Sequence, residues 1–209
     1  MKKLFVTLLA LISLFSCQKS EHAIIQDFDD SELFATIENL NATRTSMDEN
    51  NNVLWSEDDQ IVAFMKTTLP VKYQIMEPFV GSTTGGFNEI VEESGNNLYT
   101  GVEIYHNVVL YPYSTDVWCM KNDNSNPTKS YKLNVVLPQT QYYAENSFGN
   151  GSFPMAAVSS SRQFTFKNVC GGVKLQLKGV DKIKSIKLEG LAEELISGKS
   201  TVVCYCREG

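Results

Sequence analysis

The sequence predicts an all-β chain of sandwich type. Apolar residues recur at a period of two in one segment after another, as in Val71-Lys72-Tyr73-Gln74-Ile75 and in Leu133, Val135 and Leu137. Turn-forming residues interrupt these runs about every eight to twelve positions, the rhythm of short antiparallel strands. The one stretch with a helical look, residues 191–196, is too short to stand as a helix.

In chain order, Leu33-Phe34-Ala35-Thr36-Ile37-Glu38 puts Leu33, Ala35 and Ile37 on one face and reads as the first strand. Asn41 to Thr45 breaks the pattern, and residues 48–52 (DENNN) form a loop. Gln60 to Met65 is a short buried run, and Val71 to Ile75 alternates. Gly81 to Gly86 reads as a turn. Leu98-Tyr99 and Val102 to Tyr105 are short strand candidates, and Val108 to Tyr111 is a strand stopped by Pro112. A polar loop covers residues 121–130, and the strand through Leu133, Val135 and Leu137 ends at Pro138. Phe164 and Phe166 alternate with Thr165 and Lys167, and Val173, Leu175 and Leu177 alternate with Lys174, Gln176 and Lys178.

The N-terminus reads as an address. Met1-Lys2-Lys3 is a basic start, and residues 4–16 carry ten apolar side chains in thirteen positions. As a helix this run spans about 20 Å, short of a bilayer core of about 30 Å, so it reads as a secretory signal and not a membrane anchor. It ends in Leu14-Phe15-Ser16-Cys17, which resembles a bacterial lipobox with a bulky residue, Phe15, at its second position. That resemblance implies a Cys17 carrying diacylglycerol, with several acyl chains giving a durable anchor. An ordinary signal with a coincidental Cys is the plainer alternative. Residues 18–32 are polar and acidic around a few apolar positions and read as a tether.

Composition narrows the function classes. The 209 residues carry 18 basic and 24 acidic side chains, a net charge of −6. Loss of residues 1–16 takes Lys2 and Lys3 but no acid, which makes it −8. Nucleic-acid binding, which depends on neutralising phosphates, is disfavoured. After residue 16 no apolar run is long enough to span a bilayer. The paired acids Asp29-Asp30, Asp58-Asp59, Glu92-Glu93 and Glu193-Glu194 read as solvated surface, since a glycosidase pair is defined by spacing across a cleft. There is no G-x-S-x-G, no H-E-x-x-H and no phosphate loop, and nothing local supports a Cys170–His106 dyad. The expectation is a non-enzyme without cofactor or metal. Cys119, Cys170, Cys204 and Cys206 match no zinc spacing and read as packed or terminal thiols, a Cys119–Cys170 bridge being the one pairing weighed. Tyr111, Tyr113, Trp118, Tyr142 and Tyr143 are candidate ligand-facing aromatics, although core packing uses the same residue types.

Several segments together resemble the fimbrillin family of Bacteroidota, the subunits and accessory lipoproteins of type V pili. They are Ala42-Thr43-Arg44-Thr45 followed by Val53-Leu54-Trp55-Ser56-Glu57-Asp58-Asp59-Gln60-Ile61-Val62, then Leu110-Tyr111-Pro112-Tyr113, Val136 to Tyr142 (VLPQTQY) and Phe153-Pro154-Met155-Ala156-Ala157. Phe166 to Leu175 (FKNVCGGVKL) and Ile183 to Leu188 (IKSIKL) complete the set. Glu57-Asp58 stands where a Gly is more usual. The order of the segments, together with the lipobox, carries the resemblance.

The resemblance implies a transthyretin-like β-sandwich N-terminal domain followed by an incomplete second β-sandwich. The organisation expected is signal peptide 1–16, lipidated tether and removable strand 17–44, N-terminal domain 45–162 and partial second domain 163–209. It implies a structural or adhesive surface lipoprotein of the outer membrane. Such a protein is held to lipid through Cys17 and assembles with like pilus subunits or homologous lipoproteins by strand addition. The position matching the family's proteolytic processing site is Arg44, before Thr45, and the strand that would leave is Leu33 to Ile37. A glycan or host surface protein, held by the exposed aromatics, is the alternative partner. The segment from Val202 to Gly209 does not resemble a family strand, and the expectation is a second domain cut short near residue 200.

Overall fold

A computed structural model describes residues 31–38, 46–47, 53–91, 101–122, 130–144, 148–149, 151–173, 175–192 and 194–206. The protein is all-β: these residues form twelve strands and one 3-10 turn, Glu77–Phe79, with no α-helix among them. Seven strands, numbered in chain order, close into a barrel. Around its wall run β1 (Glu32–Ile37), β11 (Gln163–Asn168), β10 (Met155–Ser159), β7 (Asn107–Tyr111), β4 (Gln60–Phe64), β5 (Val71–Ile75) and β6 (Thr84–Glu89), which returns to β1. A three-stranded sheet has the order β12 (Gly198–Tyr205), β9 (Ser130–Leu137), β8 (Cys119–Lys121), and β2 (Ser46–Met47) pairs with β3 (Val53–Leu54). Among the described strands every pairing is antiparallel except that of β1 with β11.

Two apolar cores explain which sequences became which strands. The first fills the barrel, with Leu33, Ile61, Ala63, Tyr73, Phe87, Val109, Met155 and Phe166 packed around Trp55. The second lies outside the wall. There Val62 and Phe64 of β4, Val108 and Leu110 of β7 and Ala156 of β10 meet Cys119, Tyr131, Leu133 and Val135 of the three-stranded sheet. Strands β4, β7 and β10 are therefore apolar on both faces, which is why they read as unbroken runs (QIVAF, NVVLY, MAAVS). Strands β1, β5 and β11 bury one face and alternate.

Several sequence expectations change. Gly85 and Gly86 lie inside β6 and not in a turn, because the aromatics on either side need their missing side chains. A Cβ on Gly85 would lie 2.8 Å from Trp55 Nε1. Val102 to Tyr105 makes only a single bridge, Thr67 with Glu103. Leu98 and Tyr99 fall outside the described residues. Residues 191–196 form no helix among those described. Among the described residues the alternating stretch Val173, Leu175, Leu177 forms no strand. From residue 171 to 197 the described chain carries exposed apolar side chains, among them Ile183, Leu188 and Val180, the last 99% exposed. The terminal segment then returns as β12, in register along all of β9 from Gly198 opposite Leu137 to Tyr205 opposite Ser130. Strands from both sides of position 162 share the two cores, with Phe164 and Phe166 inside the barrel.

Candidate functional site

The feature that sets this barrel apart is the seat of β1. Leu33, Ala35 and Ile37 point inward onto Trp55, Phe87, Phe164 and Phe166, the alternation written in the sequence. One edge of β1 pairs antiparallel with β6, Leu33 opposite Phe87 and Ala35 opposite Gly85. The other pairs parallel with β11, Ala35 opposite Phe164 and Ile37 opposite Phe166. Backbone bonds continue the second seam at both ends, from Phe34 N–H to the Arg162 carbonyl (3.0 Å) and from Glu38 N–H to the Phe166 carbonyl (2.9 Å). On the outer face Phe34 meets Phe79 edge to face at 5.9 Å, and Lys167 Nζ donates to Glu38 Oε1 at 3.1 Å. Burying Leu33 and Ile37 stabilises the closed barrel by about 1.5–3 kcal/mol for each side chain. Taking β1 away would expose this aromatic lining and leave the edges of β6 and β11 with unpaired backbone groups.

A polar pair lies beneath the Trp55 ring. Tyr111 packs edge to face on Trp55 at 5.6 Å and donates its hydroxyl to Asp59 Oδ1 at 2.8 Å. Asp59 Oδ2 accepts from Ser56 N–H at 2.7 Å. Burial raises the Asp59 carboxyl above its ordinary value of 3.8, against the lowering pull of those two donors. The Tyr111 phenol is also pushed up, first by burial and then by the Asp59 charge.

The candidate aromatics do not form one platform. Tyr111 is buried in the barrel and faces no solvent. Tyr113 is half-buried against the outer core, with Lys72 Nζ 4.7 Å from its ring centre. Tyr142 and Tyr143 are 80% and 89% exposed. Trp118 borders a shallow cavity on the outer face of the three-stranded sheet. Cys17, Arg44 and Thr45 lie outside the described residues.

Cys119 and Cys170 form no bridge, and both are thiols. Cys119 is buried in the outer core, where Cys204 packs against the same cluster. Burial pushes their thiols up to about 12 and about 11 respectively. Among the described residues no group of three or more His, Cys, Asp and Glu side chains is placed to hold a metal ion. Compared with family models, curated proteins and solved structures, the chain finds no match.

Proposed function

We propose that the chain is a lipid-anchored surface protein of the outer membrane that assembles with like subunits by β-strand addition, as its resemblance to fimbrillins implies. Its role is structural or adhesive and not enzymatic. The observation that carries this reading is the seat of β1 between β6 and β11. Among the described strands it is the one nearest the N-terminus, its seam with β11 is the one parallel pairing, and its inward side chains fill a slot lined by aromatics. Cleavage after Arg44 would separate it from the rest of the barrel. An extended strand from another subunit could then satisfy both edges, with apolar residues at alternate positions replacing Leu33, Ala35 and Ile37. Lipid on Cys17 would hold the protein at the membrane until that exchange.

The test treats the full chain, in detergent, with an Arg-specific protease. A cut after Arg44 followed by a ladder of oligomers on a non-denaturing gel, absent from the Arg44→Ala variant, supports the reading. A clean cut that leaves monomers at high protein concentration overturns it.

A further inference from the structure

We infer that the outer face of the three-stranded sheet carries a glycan-binding shelf centred on Trp118. A shallow cavity of about 530 Å³ lies there, lined by Asp116, Trp118, Asn134, Lys199, Ser200 and Thr201. Three elements build it. Trp118 comes from the segment entering β8, Asn134 from β9, and Thr201 stands directly opposite Asn134 on β12.

The Trp118 segment is held in advance. Its backbone N–H donates to Asn134 Oδ1 at 2.6 Å, and Asn134 Nδ2 donates to the Asp116 carbonyl. A single side chain on the solvent face thus uses both ends of its amide to fasten residues 116–118 to the sheet. Trp118 is 39% exposed on a backbone fastened at both ends of the Asn134 amide, so binding need not first order that segment.

The chemistry of the lining selects the ligand class. A pyranose has one face of polarised C–H bonds, which the negative face of an indole attracts. Its rim carries hydroxyls that both donate and accept. Around Trp118 stand a carboxylate that accepts, an ammonium that donates, and two hydroxyls that do either. An oligonucleotide would need an excess of cations, whereas this cavity balances Lys199 against Asp116 in a chain of net charge −6. The shelf lies apart from the β1 slot and does not depend on the strand-addition reading.

The chain has two tryptophans, and Trp55 is fully buried, so solvent-sensitive fluorescence reports Trp118. The test adds gluco-, manno-, galacto- and N-acetylglucosamine oligosaccharides at millimolar concentration to the full chain. The expected result is a saturable blue shift and protection from acrylamide quenching with at least one of them. Trp118→Ala abolishes binding in calorimetry, while Trp118→Tyr retains part of it. Asn134→Ala weakens binding by about tenfold by releasing the held segment, and raises acrylamide access to Trp118 before any sugar is added. Circular dichroism and the Trp55 emission show that each variant is folded. If no sugar of the four series shifts the emission, the inference fails. It also fails if an unrelated extended peptide shifts it and the sugars do not, or if Trp118→Ala binds sugar as well as the parent chain.

Discussion

The hydroxyl of Tyr111, on β7, donates a 2.8 Å hydrogen bond to Oδ1 of Asp59, the residue just before β4 and 52 positions earlier in the sequence. This carboxyl has neutral donors on both oxygens and no cation beside it in those contacts. Burial is the largest influence on it and raises its pKa above 3.8. Over the window between 3.8 and that raised value, the native state holds a proton the unfolded chain has already lost. The contribution of Asp59 to stability is therefore full below 3.8 and is lost as pH rises through the native value, the reverse of a salt-bridged aspartate. Urea midpoints measured from that pH up to neutrality should show this slope, and Asp59→Asn should flatten it. Tyr111→Phe should steepen it, because the hydroxyl holds the Asp59 pKa down. Asp59→Ala should cost about 1–3 kcal/mol by stranding the buried donors of Tyr111 and Ser56.

The β1 slot should respond to side-chain volume on one face only. Leu33→Ala should destabilise the barrel by about 2–5 kcal/mol. Thr36→Ala, on the exposed face of the same strand, should stay within about 0.5 kcal/mol. Denaturant titrations followed through Trp55 emission compare the two. Equal effects would mean that β1 is not seated by its inward residues.

Gly85→Ala should be more damaging than its size suggests. The added methyl meets the edge of the Trp55 ring and the Phe87 ring, both in the barrel core. Overpacking of this kind costs about 1–3 kcal/mol. Gly171→Ala, where nothing lies within 4 Å, is the matched control. A thermal melt distinguishes them, and coincident melting curves would contradict the packing described for β6.

Thiol labelling should report how β12 is held. Deprotonation of Cys119 and Cys204 in place is suppressed, since their thiols are pushed up to about 12 and about 11. Labelling at mildly alkaline pH must then wait for local opening. Both lie on edge strands of the three-stranded sheet, but Cys119 is buried and Cys204 only partly so, and Cys204 should label first. Mass spectrometry of timed iodoacetamide quenches gives the order. Simultaneous labelling of both would mean that the sheet opens as one unit.

Among the sites in the described residues, limited trypsin should cut first between residues 171 and 197. That stretch has no strand hydrogen bonds among its described residues and offers Lys178, Lys182, Lys184 and Lys187. The exposed Lys187–Glu189 ion pair gives little protection. Lys72 and Lys132, on strands β5 and β9, should resist until the core opens. Peptide mapping of the earliest fragments decides the order.

The sequence made plain those elements whose burial is local. The unbroken runs in β4 and β7 and the alternation in β1, β5 and β11 each state how many faces a strand buries. What the pattern leaves open is the partner. Val173, Leu175 and Leu177 have the period of a strand, yet form none among the described residues. Residues 198–205 show no clear alternation, with Lys199, Ser200 and Thr201 followed by Val202, Val203, Cys204 and Tyr205, yet they pair along the whole of β9. Gly85 and Gly86 look like a turn until Trp55 and Phe79 occupy the space they leave. The β1 slot was legible as an apolar face but not as a parallel seam, because its partner lies at the far end of the barrel sequence. Trp118 could be named from composition, while the side chain that fixes its segment, Asn134, is sixteen positions away.

The parallel seam also imposes a chronology. Thr36 and Thr165 stand side by side although 129 positions separate them. A chain that emerges N-terminus first makes β1 before any other barrel strand, and cannot seat it against β11 until the last barrel strand exists. Closure is thus the longest-range event in the barrel and carries the largest loop-closure penalty. Until then β1 has only β6 to pair with, and its other edge stays open. During synthesis the barrel thus stays unclosed until β11 has been made.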